Sequence, residues 1–403
     1  MSQHAPIALL GWSLHALEAM QELGRPFVVV APEPFRALAK EHDLEFFSWD
    51  FERRNENSHE LVEPLQERGV SSAIPLYEEC VTWAGAVNSV LWEAPRLFNQ
   101  SLLFRDKAMM KRKAQISGIR VGVFEEAETH QDVRKFLGRV NKALLKLDGD
   151  TTDPVHLKPF ASAGCVGHRL IRSDDDVNEI PLTEFPCLLE SHLDGQEFSC
   201  EVFVHDGKIR FLNITEYVHL GHSNFVPASD RLESKRDTIR AAVQDLIDAF
   251  EVRYGMIHPE WFVTADGKLN FGEVAARVPG GHIFELIQRA YGFNPFAAFA
   301  LCGDPNTTEA ELEAFFPSES EFKTRAGCLM VYPRGKVASK LEVPAELEGD
   351  PYFEHHNLFV PATPKVQERV GYGNHYGTIF FAGDDPRRME DLFWKWEEYD
   401  FYS

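Results

Sequence analysis

Two glutamates near position 270 are the first residues whose type and spacing could do chemistry. Glu260 and Glu273 lie in two strand-like runs, GMIHPEWFVT and KLNFGEVAAR, which a short turn at 265–267 would join into a hairpin. Counting back from the turn places the two carboxylates at comparable positions, where like charges repel unless a cation separates them. Because Mg²⁺ is usually held by one or two carboxylates and by substrate phosphates, the pattern predicts a magnesium site. Two surface glutamates that never meet are the alternative.

Arg277 comes four residues after Glu273, and Gly280 and Gly281 follow it. A charged side chain is unfavourable to bury without a partner, so an arginine in an apolar run indicates an anion nearby. The two glycines would give the backbone clearance beside the same ligand.

A lysine followed by small residues forms a second candidate group. The segment VHLKPFASAGCVGHRLI predicts a strand that ends in Lys158, a loop from Ala161 to Gly167 and a further strand. Small residues let backbone N–H groups approach phosphate oxygens, and the lysine can neutralise them. The segment is not a G-x-x-x-x-G-K-[ST] loop, because the lysine precedes the glycines and no helix follows. A plain β-hairpin with a flexible turn is the alternative.

Two further glutamates lie in the segment CLLESHLDGQEFS. Glu190 and Glu197 are seven residues apart, on either side of a turn at 194–195, so they could flank one flat ligand. An extended segment of this kind can also hydrogen-bond an adenine through its backbone. Exposed glutamates on a strand edge are the alternative.

A cationic helix precedes these segments. The run SLLFRDKAMMKRKAQISG predicts a basic helix from about Leu103 to Ser117, which contains Lys107. Such a patch by itself is typical of a solvated helix face. The phosphate-loop pattern downstream favours a contact with phosphate instead.

The elements that must position these residues alternate between strand and helix. PIALLG predicts a buried strand, SLHALEAMQELG a helix closed by Gly24, and PFVVVAPE a second buried strand, so the first ~100 residues should form a doubly wound α/β domain. Its first turn, GWS, lacks the G-x-G-x-x-G spacing, which disfavours an NAD-dependent oxidoreductase. Near the C-terminus an aromatic-rich helix carries Trp394 and Trp396, which we expect to pack rather than bind.

Composition excludes several classes of function. The formal charge of −22 disfavours nucleic acid as a partner, and 44% hydrophobic residues in 403 are enough for cores in two to four domains. The six cysteines are scattered without metal spacing and are expected to be reduced. Because we find neither a leader-like N-terminal segment nor a run of ~18 apolar residues, we expect a cytoplasmic protein without a membrane contact.

The order of these motifs resembles the ATP-grasp superfamily. A basic helix with RDK, a strand LKP before a small-residue loop, the run LLExxLxGxEFS and a hairpin ending in ExxxRxxGG cover roughly residues 100–300. The resemblance implies a mixed α/β and α+β fold, with a doubly wound pre-ATP-grasp domain followed by a two-lobed ATP-grasp fold. The implied ranges are 1–100 for the first domain, 101–187 for the central lobe, and 188–403 for the C-terminal lobe, with an appended subdomain from about 325.

The resemblance also implies a role for each motif residue. Lys107 and Lys158 would contact ATP phosphates under the loop that includes Ser162, Ala163 and Gly164. Glu190, with backbone near His192 and Leu193, would bind the adenine, and Glu197 the ribose. Glu260 and Glu273 would ligate one or two Mg²⁺ ions, with Mn²⁺ as a substitute, and Arg277 would lie near the γ-phosphate and the reacting carboxylate.

One departure from the family pattern concerns the metal. Many members have asparagine two residues after the second metal-binding glutamate, whereas this chain has Ala275. A metal would then depend on water or phosphate for that ligand, and the number of ions stays open. His258 and His282 flank the hairpin and would support the metal ligands rather than bind the metal.

Within the superfamily, EVAARVPGGH and NITEYVHLGHSNFVPASD look most similar to ligases that join an amino acid to another amine. The second segment borders the substrate pocket in such ligases, which would place Glu216, His222 or Asn224 near a substrate. A mobile cover without direct contact is an equal alternative for this segment.

The implied reaction activates a carboxylate as an acyl phosphate and joins it to an amine, with release of ADP and phosphate. The substrates would be small molecules, of which amino acids fit best, while a carrier-bound acyl group and a homodimer stay open. A degenerate ATP-grasp protein that only binds nucleotide, and a carboxylase or nucleotide-biosynthesis enzyme, are the alternatives.

Overall fold

A computed structural model describes residues 4–52, 58–143 and 153–403. These residues form sixteen strands in three sheets, with helices packed on all three sheets. The implied ranges 1–100 and 101–187 also include positions 1–3, 53–57 and 144–152, which lie outside the described residues.

The first sheet is parallel and has the order β3-β2-β1-β4. Its strands are β1 (Ile7–Leu10), β2 (Phe27–Ala31), β3 (Phe46–Ser48) and β4 (Ser72–Pro75), and its helices are α1 (Leu14–Leu23), α2 (Arg36–Glu41), α3 (His59–Glu67) and α4 (Val81–Leu91). Helix α1 covers one face and helices α3 and α4 cover the other, as a doubly wound sheet requires. Gly24 ends α1 at φ 61°, a left-handed conformation that glycine adopts without strain. The predicted doubly wound α/β fold is confirmed.

The second sheet is small and antiparallel, with the order β5-β8-β6-β7. The segment contains, in chain order, α5 (Arg96–Leu103), α6 (Lys107–Ile116), β5 (Phe124–Ala127), α7 (His130–Ala143), β6 (Val155–Lys158), β7 (Arg169–Ile171), α8 (Asp174–Asn178) and β8 (Cys187–Ser191). The predicted basic helix is present as α6 and ends where expected, but its predicted start near Leu103 was wrong. The chain breaks there, because Asp106 is an extended N-cap whose side chain accepts a hydrogen bond from Met109 N at 2.9 Å.

The third sheet has eight strands in the order β13-β12-β9-β10-β11-β14-β16-β15. They are β9 (Gly195–His205), β10 (Lys208–His219), β11 (Ser223–Val226), β12 (Tyr254–Thr264), β13 (Leu269–Ala275), β14 (Arg325–Met330), β15 (Phe353–His356) and β16 (Thr378–Gly383). The accompanying helices are α9 (Asp230–Glu233), α10 (Arg236–Phe250), α11 (Ile283–Tyr291), α12 (Pro295–Gly303), α13 (Glu309–Phe315), α14 (Ala345–Glu348) and α15 (Pro386–Glu397). The sheet is continuous from the glutamate hairpin to the C-terminal region, since β11 pairs with β14.

The cysteines and the two C-terminal tryptophans differ in how they are buried. All six cysteines are free thiols, as expected, and five of them are buried. Trp396 is buried in the core against Phe401, but Trp394 is 47% exposed and stacks on His219. Among the described residues we find no helix with the length and apolar character of a membrane span.

Candidate active site

The glutamate hairpin has the register that the sequence predicts. Strands β12 and β13 pair Pro259 with Val274 and Trp261 with Phe271, and the register shifts between these two pairs. Glu260 therefore lies opposite the Gly272–Glu273 step. Gly272 matters here, because a side chain on it would press against the Glu260 carbonyl oxygen. The two candidate metal-binding residues therefore lie at neighbouring positions on paired strands.

Three lysines, from the smaller sheet and its helix α6, pair with the carboxylates of Glu273 and Glu190. Lys107 Nζ, at the start of α6, lies 2.9 Å from Glu273 Oε2. Lys158 Nζ, at the end of β6, lies 2.8 Å from Glu190 Oε2, and Lys111 Nζ lies 2.5 Å from the other oxygen of the same carboxylate. The fold thus brings residues from four separate sequence segments into one charged cluster.

The lysines keep both carboxylates ionised despite burial. Burial raises the pKa of Glu190, but the coulombic attraction of Lys111 and Lys158 outweighs it and holds that pKa well below its usual range. Burial also raises the pKa of Glu273, whereas Lys107 and Lys158 lower it to about 2. These carboxylates are therefore negative at neutral pH and available to a cation.

Glu197 has the opposite environment. Burial, followed by the charge of Glu260, raises the pKa of Glu197 to about 8. Glu260 therefore has a carboxylate neighbour on β9. Glu260 and Glu273, on the paired strands β12 and β13, offer the oxygen ligands that a hard divalent cation such as Mg²⁺ takes, so the residues present fit that ion.

His258 supports Glu260 from the strand interior. Its Nδ1 lies 3.0 Å from Glu201 Oε1 and its Nε2 lies 3.5 Å from Glu260 Oε1. Burial lowers the pKa of His258, but its hydrogen bonds to Glu201 and Glu260 raise it to about 9. Glu201 is fully buried and also accepts hydrogen bonds from Asn213 and Thr215, each at 2.6 Å.

The small-residue loop lies over the lysines. The Ser162 carbonyl oxygen accepts a hydrogen bond from Lys107 Nζ at 3.1 Å, and the Ala163 carbonyl accepts one from Val166 N at 3.3 Å. Gly164 adopts φ 58°, which turns the loop back towards β7. The strand, loop and strand that the sequence predicts are present.

Arg277 is paired with a residue from the first domain. Its Nε donates to Glu78 Oε2 at 2.8 Å, and its Nη1 donates to the Val278 carbonyl oxygen. Arg105 Nη1 lies 2.6 Å from the other oxygen of Glu78. Neither Glu78 nor Arg105 stands out in the sequence. Glu78 joins the site only through Arg277, which is 199 residues away in the chain.

The segment that should border a substrate pocket divides into different roles. Glu216 is buried and its oxygens accept hydrogen bonds from Gln196, Arg231 and the backbone of Ser229, each at 2.7 Å. This saturated carboxylate anchors the fold of the segment. Asn224 Nδ2 donates to the Gly281 carbonyl oxygen at 3.2 Å, which holds the glycine pair beside the hairpin.

The two remaining histidines of the sequence analysis lie in separate contacts. His282 Nδ1 lies 2.5 Å from Glu285, and its Nε2 lies 3.1 Å from the Thr378 hydroxyl. His222 Nε2 accepts a hydrogen bond from Arg369 at 2.8 Å.

Two histidines of the small sheet, His156 and His168, were missed, and they form a row with His192, whose backbone was predicted to lie near the adenine. His156 Nδ1 lies 2.9 Å from His168 Nε2, and His156 Nε2 lies 3.0 Å from His192 Nδ1. Their ring planes differ by only 13° and 7°, so the imidazoles form a nearly flat hydrogen-bonded row beside Glu190, which pairs with His156 across the strands. Burial and the Lys158 charge lower the pKa of His156 to about 3, which keeps it neutral. Leu193, the other residue predicted to offer backbone to a base, follows His192 directly and its side chain lies against Gly122.

Lys111 was also missed, although a sequence signal existed. It follows Lys107 by one helical turn, so both ammonium groups lie on one face of α6. Only 3% of Lys111 is exposed, which distinguishes it from the solvated lysines of the same run.

Sequence comparison matches residues 171–285 to the ATP-grasp domain. The chain is also 25% identical over 271 residues to an L-arginine-specific L-amino acid ligase of Bacillus subtilis, and the match covers 63% of each protein. The chain thus spans less than two thirds of the length of that curated relative.

Structure comparison aligns nearly the whole chain with solved structures of a ligase and of synthetases. It covers 98% of this chain and 97% of an L-amino acid ligase from Bacillus licheniformis, with a TM-score of 0.74 and 18% identity. The match to N5-carboxyaminoimidazole synthetase of Staphylococcus aureus complexed with ADP has a TM-score of 0.68, 18% identity and 98% coverage of each chain. At these identities the likeness shows a shared fold. The resemblance to the ATP-grasp superfamily is confirmed, and so is the fold that it implied.

Proposed function

From the premise that this chain contains an ATP-grasp domain, we propose that the protein is an ATP- and Mg²⁺-dependent carboxylate–amine ligase. It would convert a carboxylate into an acyl phosphate and join it to the amine of an amino acid or peptide, with release of ADP and phosphate. The observation that carries the proposal is the charged cluster in which Lys107 pairs with Glu273 and Lys158 pairs with Glu190. The similarity to an L-arginine-specific L-amino acid ligase supports an amino acid as substrate.

The nucleotide would lie between the small sheet and the glutamate hairpin. Lys107 and Lys158 would exchange their carboxylate partners for phosphate oxygens, and the backbone of residues 162–164 would cover them. Lys111 would then remain with Glu190 and keep it charged. The backbone at 190–193 would bind the adenine, and Glu197 would bind the ribose hydroxyls.

Glu260 and Glu273 would hold one or two Mg²⁺ ions, for which Mn²⁺ could substitute. Bound there, the metal would neutralise phosphate charge. Ala275 offers no side-chain oxygen, so water or phosphate would fill that position. The His258 contact to Glu260 would fix the orientation of one ligand.

Positioning and charge neutralisation do most of the work in phosphoryl transfer. A substrate carboxylate oxygen would form a bond to the γ-phosphorus while the bond to the ADP oxygen breaks. The amine nitrogen would then attack the acyl carbon, lose a proton and expel phosphate. Arg277 would neutralise the phosphoryl oxygens once it leaves Glu78, and the loop at 161–167 would exclude water from the acyl phosphate.

The test is incubation with Mg-ATP and paired amino acids, with phosphate release and amide product measured together. We expect release that requires a pair of substrates and is lost in Lys158→Met. Lys135→Met is the control, because Lys135 is an exposed residue of α7 that pairs with Asp132. If no pair of substrates causes phosphate release, although the protein is folded and binds ATP, the nucleotide-binding alternative is supported instead.

A second candidate is carboxylation. It is favoured by the likeness to the N5-carboxyaminoimidazole synthetases over nearly the whole chain. An assay arm with bicarbonate and an aminoimidazole ribonucleotide separates the two functions, since only a carboxylase would release phosphate there without amino acids.

A further inference from the structure

A C-terminal segment, Arg369–Tyr372, closes directly on the loop at 161–167, and we call this segment the latch. The Tyr372 backbone N–H donates to the Gly164 carbonyl oxygen at 2.9 Å. Gly371 has φ 56°, and a Cβ atom on it would collide with that same oxygen. Glycine is therefore needed at 371 both for its left-handed conformation and for the close approach of the latch to the loop at 161–167.

The side chain of Tyr372 reaches the candidate active site. Its ring fills the space beside Gly221, where a Cβ atom would collide with it, and its hydroxyl is hydrogen-bonded to the Cys165 thiol. Burial raises the pKa of Tyr372, and the charges of Glu197 and Glu260 raise it further. The ring thus packs between Gly221 and Cys165, which belongs to the loop at 161–167.

Four contacts fix the latch, one of them within it and three to Tyr332 and His222. Arg369 lies 3.9 Å from the centre of the Tyr332 ring, and its Nε donates to the Gly371 carbonyl oxygen at 2.9 Å. The Tyr332 hydroxyl lies 2.9 Å from the Tyr372 carbonyl oxygen. Arg369 Nη1 also donates to His222 Nε2 at 2.8 Å. These contacts hold the latch independently of the loop that it touches.

His222 links the latch to helix α15. His219 and His222 both approach Glu397, with Nδ1–Oε1 distances of 2.6 and 3.4 Å. These three side chains resemble a metal site, but the two imidazole rings are stacked, with centroids 4.1 Å apart and planes only 3° from parallel, so one ion cannot lie in the plane of both rings. Because arginine has only hydrogen-bond donors, Nε2 of His222 must accept from Arg369. The ring proton of His222 is therefore on Nδ1, which faces Glu397. The trio therefore serves as a hydrogen-bonded support for the latch.

We propose that the latch positions the loop at 161–167 over the ATP phosphates, and that Tyr372 is a positioning residue that keeps water away from the acyl phosphate. The inference rests on the proposed ligase function and deepens it. Without the latch, water would attack the acyl carbon in place of the amine. The bond to phosphate would break, a proton would pass to solvent, and the products would be the free carboxylate and phosphate. ATP would then be consumed without amide formation.

The main variant is Gly371→Ala, which should separate the latch from Gly164. We expect a several-fold rise in the ratio of phosphate released to amide formed. We also expect faster hydrogen exchange of the backbone at 161–168 in the nucleotide-free protein. Gly373→Ala is the matched control, because its Cβ atom would meet only the Val370 carbonyl oxygen, at 3.2 Å. It should resemble the unmodified protein in both measurements.

Tyr372→Phe keeps the ring and removes only the hydroxyl, so it tests the same inference in a protein whose backbone contact is intact. We expect a smaller rise in the same ratio, with unchanged thermal unfolding. Unaltered exchange in Gly371→Ala, or an unaltered ratio in both variants, would overturn the inference. If the unmodified protein forms no amide with any substrate pair, the proposed function fails, while the exchange measurement still decides whether the latch holds the loop.

Discussion

At the scale of single residues, Glu273 tests the assignment of the metal site. Glu273→Gln keeps the shape of the side chain but removes the charge that Lys107 contacts at 2.9 Å. We expect substrate-dependent phosphate release to fall by about 10²–10³-fold, the usual effect of removing one preorganised electrostatic group.

The control for that variant is Glu126→Gln, which removes an exposed carboxylate of β5 that pairs with Arg112. Thermal unfolding monitored by circular dichroism should show both proteins folded. Activity in Glu273→Gln equal to that of the control would remove Glu273 from the site.

The histidine row predicts a pH dependence of stability. Burial and Lys158 lower the pKa of His156 to about 3 and that of His168 to about 4, from 6.5. The unfolded chain therefore binds more protons than the folded chain below pH 6.5, and stability is lost as the pH falls towards 4.

His156→Gln should flatten this loss between pH 6.5 and 4.5, because one of the resisting imidazoles is gone. The measurement is the free energy of unfolding in urea across that window. His59→Gln, at an exposed histidine of α3, should keep the slope of the unmodified protein. A slope that His156→Gln leaves unchanged would mean that the row does not titrate as described.

At the scale of elements, the start of helix α6 determines where two lysines point. Asp106 caps the helix by accepting a hydrogen bond from Met109 N at 2.9 Å, and Lys107 and Lys111 follow on one face. Because Asp106 caps the helix, α6 begins at Lys107 and not near Leu103, as the basic composition of the run indicates.

Asp106→Ala should destabilise the protein by about 1 kcal/mol and weaken ATP binding, because the first turn carries Lys107. Asp106→Asn should keep both the stability and the ATP affinity of the unmodified protein, since asparagine caps helices about as well as aspartate. Unfolding in urea and calorimetric titration with ATP measure the two effects. Failure of asparagine to rescue would show that the charge of Asp106, rather than its cap, is what matters.

At the scale of the whole molecule, Arg25 joins the first domain to the helices of the large sheet. Its guanidinium lies 2.8 Å from Asp304, at the end of α12, and 2.8 Å from Glu311 on α13. Asp304 is 1% exposed, so it would be left buried without its cation in Arg25→Met.

Arg25→Met should lower the free energy of unfolding by about 3–5 kcal/mol, the range for breaking a buried ion pair from one side. The control is Arg68→Met, which removes an exposed pair with Glu45 and should have a much smaller effect. Urea unfolding measures both. Equal effects would mean that the contact between the domains contributes little to stability.

The amino-acid sequence by itself determined the order of strands and helices, the glutamate hairpin and the strand–loop–strand around Lys158. These features depend on periodicity and turn residues within a few positions, which the chain encodes locally. The break at Asp106 was also encoded locally and was missed, because the cationic run concealed a capping residue.

Only the tertiary structure decided which charges meet. Arg277 and Glu78 are 199 residues apart, and Lys111 joins Glu190 only after the small sheet has packed on α6. Tyr372 reaches Cys165 because β14 and β16 extend the same sheet that carries the hairpin. No local pattern specifies such contacts, since they depend on how separate elements pack, and a charge in the sequence does not name its partner.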